Sequence, residues 1–159
     1  MAFDQVELAA YVALAMVFGA VIGFDREWAG KPAGLRTHML VSGAAALLVI
    51  LGNVTIGHFQ AGLDSGLLRS DPIRVIEAVI TGVSFLGAGT IIRQKSDRHV
   101  EGLTTAASLL MAAALGICVA LSQLVLALSV TALVLLTLRG VSRVERWLAR
   151  LQARPGSQE

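Results

Sequence analysis

Thirty-six consecutive residues, Leu103 to Leu138, carry no charge at all. One unbroken helix of that length would rise about 54 Å, whereas the hydrocarbon core of a bilayer is about 30 Å thick. The run is therefore expected to fold back on itself, and the polar pair Ser122-Gln123 marks the turn. The rest of the chain agrees with a lipid setting: 55% of residues are apolar and only 15% charged, against about 25% charge in a soluble domain. Mean hydropathy is +0.73. A disordered chain, a secreted disulfide scaffold and an ordinary soluble enzyme are all excluded. A single cysteine, Cys118, permits neither an internal disulfide nor a cysteine zinc cluster. The first basic residue is Arg26, unlike the charged start of a cleaved signal, so the first apolar segment is expected to stay in the mature protein.

Three further segments have the length and composition of membrane spans: Leu8 to Phe24, Met39 to Ile56 and Ile73 to Ile92. With the folded-back run they predict five spans, an all-α polytopic bundle over residues 1–139. Basic residues test that count, because Lys and Arg collect on the cytoplasmic side. With the N-terminus outside, eleven of the thirteen fall inside: Arg26, Lys31, Arg36, Arg93, Lys95, Arg98, Arg139, Arg143, Arg146, Arg150 and Arg154. Only Arg69 and Arg74 fall outside, among Asp4, Glu7, Asp64, Asp71 and Glu77. A four-span chain would put the five tail arginines on the wrong side. Residues 140–159 form a separate device, a basic amphipathic cytoplasmic tail. There Val141, Val144, Leu148 and Leu151 share one helical face beside an arginine stripe, which suits anionic lipid better than nucleic acid.

A shift of 68 residues lays Gly19-Ala20 on Gly87-Ala88, Gly34-Leu35-x-Thr37 on Gly102-Leu103-x-Thr105, and Ala44 to Leu47 on Ala112 to Leu115. Between residues 10 and 47, ten of 38 positions match. Both halves run from outside to inside and back, so the repeat is parallel, about an axis along the membrane normal.

Several residues are candidates for function. Asp25 and Arg26 follow the first span, with Glu27 beside them, and Arg36, Thr37 and His38 precede the second. The glycines and proline between them would let Asp25 or Glu27 turn onto Arg36. Asp71-Pro72-x-Arg74 is a helix start, with an aspartate cap and proline in the first turn. Arg74 can pair with Glu77 one turn on, and an ionisable residue that far into a span is a functional candidate by default. Gly87 and Gly89 either loosen the third span, freeing backbone groups for a ligand, or pack it closely against a neighbour. Small residues recur every four positions at Ala15, Gly19 and Gly23, and again at Thr104, Ser108, Ala112, Gly116 and Ala120. Such stripes mark helix contacts in lipid, within one subunit or at the seam of a homodimer. No nucleophile triad, phosphate loop, HExxH or CxxC is present, so neither catalysis nor a cofactor is expected. A magnesium cage would need Asp64, Asp71 and Glu77 to converge.

The stretches Gly34-Leu35-Arg36-Thr37-His38-Met39-Leu40-Val41, Phe85-Leu86-Gly87-Ala88-Gly89-Thr90-Ile91 and Gly102-Leu103-Thr104-Thr105-Ala106-Ala107-Ser108 together resemble the MgtC/SapB family. The resemblance implies a bacterial inner-membrane protein connected with growth in low magnesium and, in pathogens, with virulence. It implies action on a membrane partner such as the proton-translocating ATP synthase rather than catalysis. It also maps the family's acidic-Arg pair onto Asp25-Arg26 and its Asp-Pro-x-Arg start onto Asp71 to Arg74. Longer members end in a cytosolic domain; this chain, read as a short form, carries the arginine tail instead. The competing expectation is a small dimeric transporter or channel for a cation, proton or small solute, with a path beside Glu77, Gly87, Gly89 and Ser108 and a mouth at Asp71 and Arg74.

Overall fold

A computed structural model of the chain describes residues 5–62, 72–93 and 102–152. Every regular element in it is a helix: α1 (Gln5–Trp28), α2 (Leu35–Gly62), α3 (Pro72–Arg93), α4 (Leu103–Ala120) and α5 (Leu124–Gln152). Each contains a stretch of at least 18 residues apolar enough to cross a membrane. The expected five-span bundle is therefore the observed one. Asp64 and Asp71 lie outside the described residues, but α3 opens at Pro72 as its sequence predicts.

The uncharged run bends where expected. Ser122 takes a left-handed backbone, φ 58°, while its N–H donates to Val119 O and the Gln123 N–H donates to Cys118 O. This crossed pair of bonds satisfies the last carbonyls of α4 and reverses the chain within three residues. The same device closes α1, where Gly30 supplies the left-handed residue at φ 66° and Gly30 and Lys31 donate to Glu27 O and Arg26 O.

Helices α2 and α4 pack together at the centre. Both α1 and α3 contact each of them, and α5 adds to the α1 side through α1 and α4. Two apolar clusters flank this central wall. Val41, Ala45, Val79, Val83, Leu109, Ala112 and Ala113 fill the α3 side. Ala15, Ile22, Ala46, Leu115, Val119 and Ala127 fill the α1 side. Most of these residues are alanine or valine, because lipid gives no hydrophobic drive for helices to associate and close backbone approach must hold them.

The repeat is visible in the helix boundaries, since α2 and α4 begin at Leu35 and Leu103, 68 residues apart. It is visible in the packing as well. A Cβ on Gly19 would strike the backbone of His38, and a Cβ on Gly87 would lie 3.2 Å from the Cβ of Ala106. Both members of the first pair map onto the second by the same shift.

The small-residue stripes serve these internal contacts. Ala15, Gly19 and Gly23 are buried, with Gly19 and Gly23 against α2, and Ser108, Ala112 and Gly116 are buried on α4, with Gly116 against Ser42 and Ala45. Thr104 and Ala120, at the two ends of the α4 stripe, are exposed and half-buried.

Candidate functional site: a buried polar junction of three helices

Where α1 ends and α2 and α4 begin, five polar side chains are buried together: Arg26, His38, Ser42, Thr105 and Ser108. Helix periodicity puts them there. Ala15, Gly19, Ile22, Gly23 and Arg26 lie on one face of α1, so the arginine extends the small-residue stripe by one turn. His38 and Ser42 are one turn apart on α2, as Thr105 and Ser108 are on α4.

The side chains form a continuous hydrogen-bonded chain. Arg26 Nη2 donates to Thr105 Oγ1 at 2.9 Å. Ser108 Oγ lies 2.8 Å from Thr105 O and 3.0 Å from His38 Nε2, and His38 Nδ1 lies 2.9 Å from Gly34 O. Separately, Ser42 Oγ donates to Ala15 O at 2.7 Å, tying the middle of α1 to α2. A carbonyl only accepts, so Nδ1 of His38 carries a hydrogen. In the neutral ring Nε2 then accepts the one hydroxyl hydrogen of Ser108. Only a doubly protonated ring would let that serine donate to Thr105 O instead. The Ser108 hydroxyl thus has two acceptors and one hydrogen, and the state of His38 decides between them.

Acidic groups border the junction. Glu27 Oε2 accepts from Leu35 N at 2.8 Å, placing a carboxylate on the positive N-terminal end of α2. Asp25 pairs with Arg139 of α5. The turn of Asp25 or Glu27 onto Arg36 therefore does not occur: α1 stays helical through Trp28, both carboxylates find other partners, and Arg36 and Thr37 are exposed in the first turn of α2.

The remaining candidates lie elsewhere. Thr104 is exposed at the start of α4, and Arg74 and Glu77 are exposed on α3 with no ion pair between them. Helix α3 runs unbroken through both glycines, so no backbone is freed there. Gly87 is buried against Ala106, and Gly89 has nothing within 4 Å of where its Cβ would be. Glu77 stands on the outside of the bundle, whereas Ser108 faces α2, so the two do not line one path. Among the described residues no three His, Cys, Asp or Glu side chains come together to hold a metal. Sequence reasoning passed over Ser42 and the Asp25–Arg139 pair. Ser42 was detectable as the residue one turn after His38, but nothing in the sequence ties Asp25 to a helix more than a hundred residues away.

Five membrane-length helices packed around a buried Arg/His/Ser/Thr junction define a multi-pass helical membrane protein. Residues 12–147 match the MgtC family, and the chain belongs to that family. It is 40% identical over 154 residues to SrpB of Synechococcus elongatus, covering 91% of this chain and 81% of that protein. It is 37% identical over 121 residues to MgtC of Salmonella typhimurium, covering 76% of this chain and 46% of that protein. It is 39% identical over 103 residues to YhiD of Escherichia coli, a candidate magnesium transporter by its name, covering 65% of this chain and 46% of that protein. The chain thus spans about half the length of the MgtC and YhiD relatives. No solved structure matches it.

Proposed function

We propose that this protein is a non-enzymatic modulator of magnesium or membrane-energy homeostasis in the bacterial inner membrane, acting by contact with a membrane partner. In this reading the N-terminus is periplasmic, the C-terminus is cytoplasmic, and the junction of Arg26, His38, Thr105 and Ser108 holds the bundle in its binding-competent form. The carrying observation is the division of polar groups. Arg26, His38, Thr105 and Ser108 are buried and linked across three helices, whereas Glu77, Thr81 and Ser84 sit exposed on α3, where a carboxylate facing lipid alone is costly. A neighbouring protein would relieve that cost, and a second copy of the chain, a homodimer, is one such neighbour. The name of the YhiD relative supports the connection with magnesium. Isolation of the tagged protein at native expression should bring down a second membrane protein, and Glu77→Gln should weaken the capture. Recovery of the chain alone would count against this reading.

A transporter or channel for a cation, proton or small solute is the second reading, and the YhiD name favours it. It predicts flux in reconstituted vesicles that falls on Glu77→Gln. Vesicles with no magnesium, proton or solute flux in either form would remove it. Labelling of single cysteines placed in each loop tests the orientation common to both readings.

A further inference from the structure

We propose that Arg26 and the N-terminus of α4 form a binding site for a phosphate group. The two helices that begin at this junction are treated differently. At the start of α2 the Glu27 carboxylate accepts the Leu35 N–H. At the start of α4, Gly102 takes the left-handed conformation, φ 105°, and as a glycine it brings no side chain of its own to cap the helix. The first-turn N–H groups of α4 point away from any intrahelical acceptor, and the helix dipole adds partial positive charge there. The repeat sharpens the contrast, because the position equivalent to Glu27 is Lys95.

Into this positive end comes a full positive charge. Arg26 is only 5% exposed and donates from Nη2 to Thr105, in the first turn of α4. Among the described residues its buried Nε–H has no partner. Among the described residues its neighbouring acids are committed elsewhere, Asp25 to Arg139 and Glu27 to Leu35 N. A buried charge with an unused donor, held at the positive N-terminal end of a helix, is an arrangement completed by an anion. Phosphate fits it: a guanidinium held by one arm still offers its remaining donors to two phosphate oxygens. The site also lies where α1 ends and α2 and α4 begin, at the ends of three membrane-length helices. An anionic lipid headgroup and a free phosphate share this chemistry.

The test follows thermal unfolding of the full chain in a phosphate-free maltoside detergent. Inorganic phosphate, or short-chain phosphatidylglycerol in a separate arm, is added against chloride at equal ionic strength. At ten times Kd the midpoint should rise by roughly 3–5 °C. The rise should vanish in Arg26→Gln, and the affinity should fall roughly tenfold or more in Thr105→Val, which loses only the hydroxyl that holds the arginine. If Arg26→Gln does not fold, Thr105→Val carries the test. A response to the lipid alone identifies a headgroup site, and a response to both identifies a general phosphate site; each supports the proposal. Three results overturn it: no response beyond chloride, an equal response in both variants, or a response that appears only in Glu101→Gln. The last would make the chain's own carboxylate, one residue before Gly102, the resident anion.

Discussion

Gly19 lies directly against the backbone of His38, so closely that a Cβ would collide with the His38 carbonyl and lie 2.8 Å from Ser42 Cβ. Backbone on a facing helix cannot swing aside as a side chain can. Gly19→Ala should therefore push α1 from α2 and destabilise the protein by about 1–3 kcal/mol. Gly87→Ala, whose neighbour is the Ala106 Cβ at 3.2 Å, should cost less. Gly89→Ala meets open space and should be neutral or stabilising by up to about 1 kcal/mol, since alanine is the better helix former. Unfolding of the three variants in one detergent checks the order. A Gly89 variant as damaging as the Gly19 variant would contradict it.

The hydrogen-bonded chain makes a prediction about one proton. Because Gly34 O can only accept, neutral His38 must carry hydrogen on Nδ1 and accept at Nε2 from Ser108. Nitrogen NMR of histidine-labelled protein should report that tautomer. Ser108→Ala leaves Nε2 buried without a donor and should cost about 1–3 kcal/mol. Thr104→Ala, at an exposed position four residues earlier, should stay within about 0.5 kcal/mol of the parent. An Nδ1 lacking hydrogen would refute the assignment.

Much of this arrangement was legible in the sequence, and what escaped did so for a definite reason. The five spans and the Ser122-Gln123 turn follow from two lengths, an uncharged run too long for one crossing and a bilayer of fixed thickness. The repeat was legible at Gly19/Gly87 and Thr37/Thr105 because those residues keep their identities. The junction was harder to see because Asp25-Arg26-Glu27 and Arg36-Thr37-His38 look like loop sequence. Yet α1 continues for a turn past Phe24, and α2 begins three residues before His38. Extending the period from Ala15 through Gly19 and Gly23 reaches Arg26, and extending it back from Ser42 reaches His38. The polar residues of the junction are thus the ends of the packing stripes, and the composition of the segment concealed a periodicity that its spacing retained.

The ion pair between Asp25 and Arg139 fastens the end of α1 to α5, but the Arg139 side chain is 55% exposed. Solvent screens such a pair, and its coupling in a double-mutant cycle of Asp25→Asn and Arg139→Gln should be at most about 1 kcal/mol. The coupling should shrink further as salt rises. A larger, salt-insensitive coupling would mean that the pair is sealed from water by something beyond this single chain, which would itself point to a partner at the α1/α5 edge.

The corner between α4 and α5 depends on a residue in an unfavourable conformation. Ser122 holds φ 58°, a region that costs a side-chain-bearing residue about 1–2 kcal/mol and a glycine almost nothing. The backbone bonds from Ser122 and Gln123 into the last turn of α4 keep it there, while its own hydroxyl makes only a long contact, 3.4 Å, to Tyr11. Ser122→Gly should therefore retain the hairpin and match or exceed the parent in stability. Ser122→Val, branched at Cβ, should lose about 1–2 kcal/mol. If valine were tolerated as well as glycine, the reversal would have to depend on something other than that one left-handed residue, and the chain would be free to extend α4 toward the single long rod that the thickness of the bilayer disfavours.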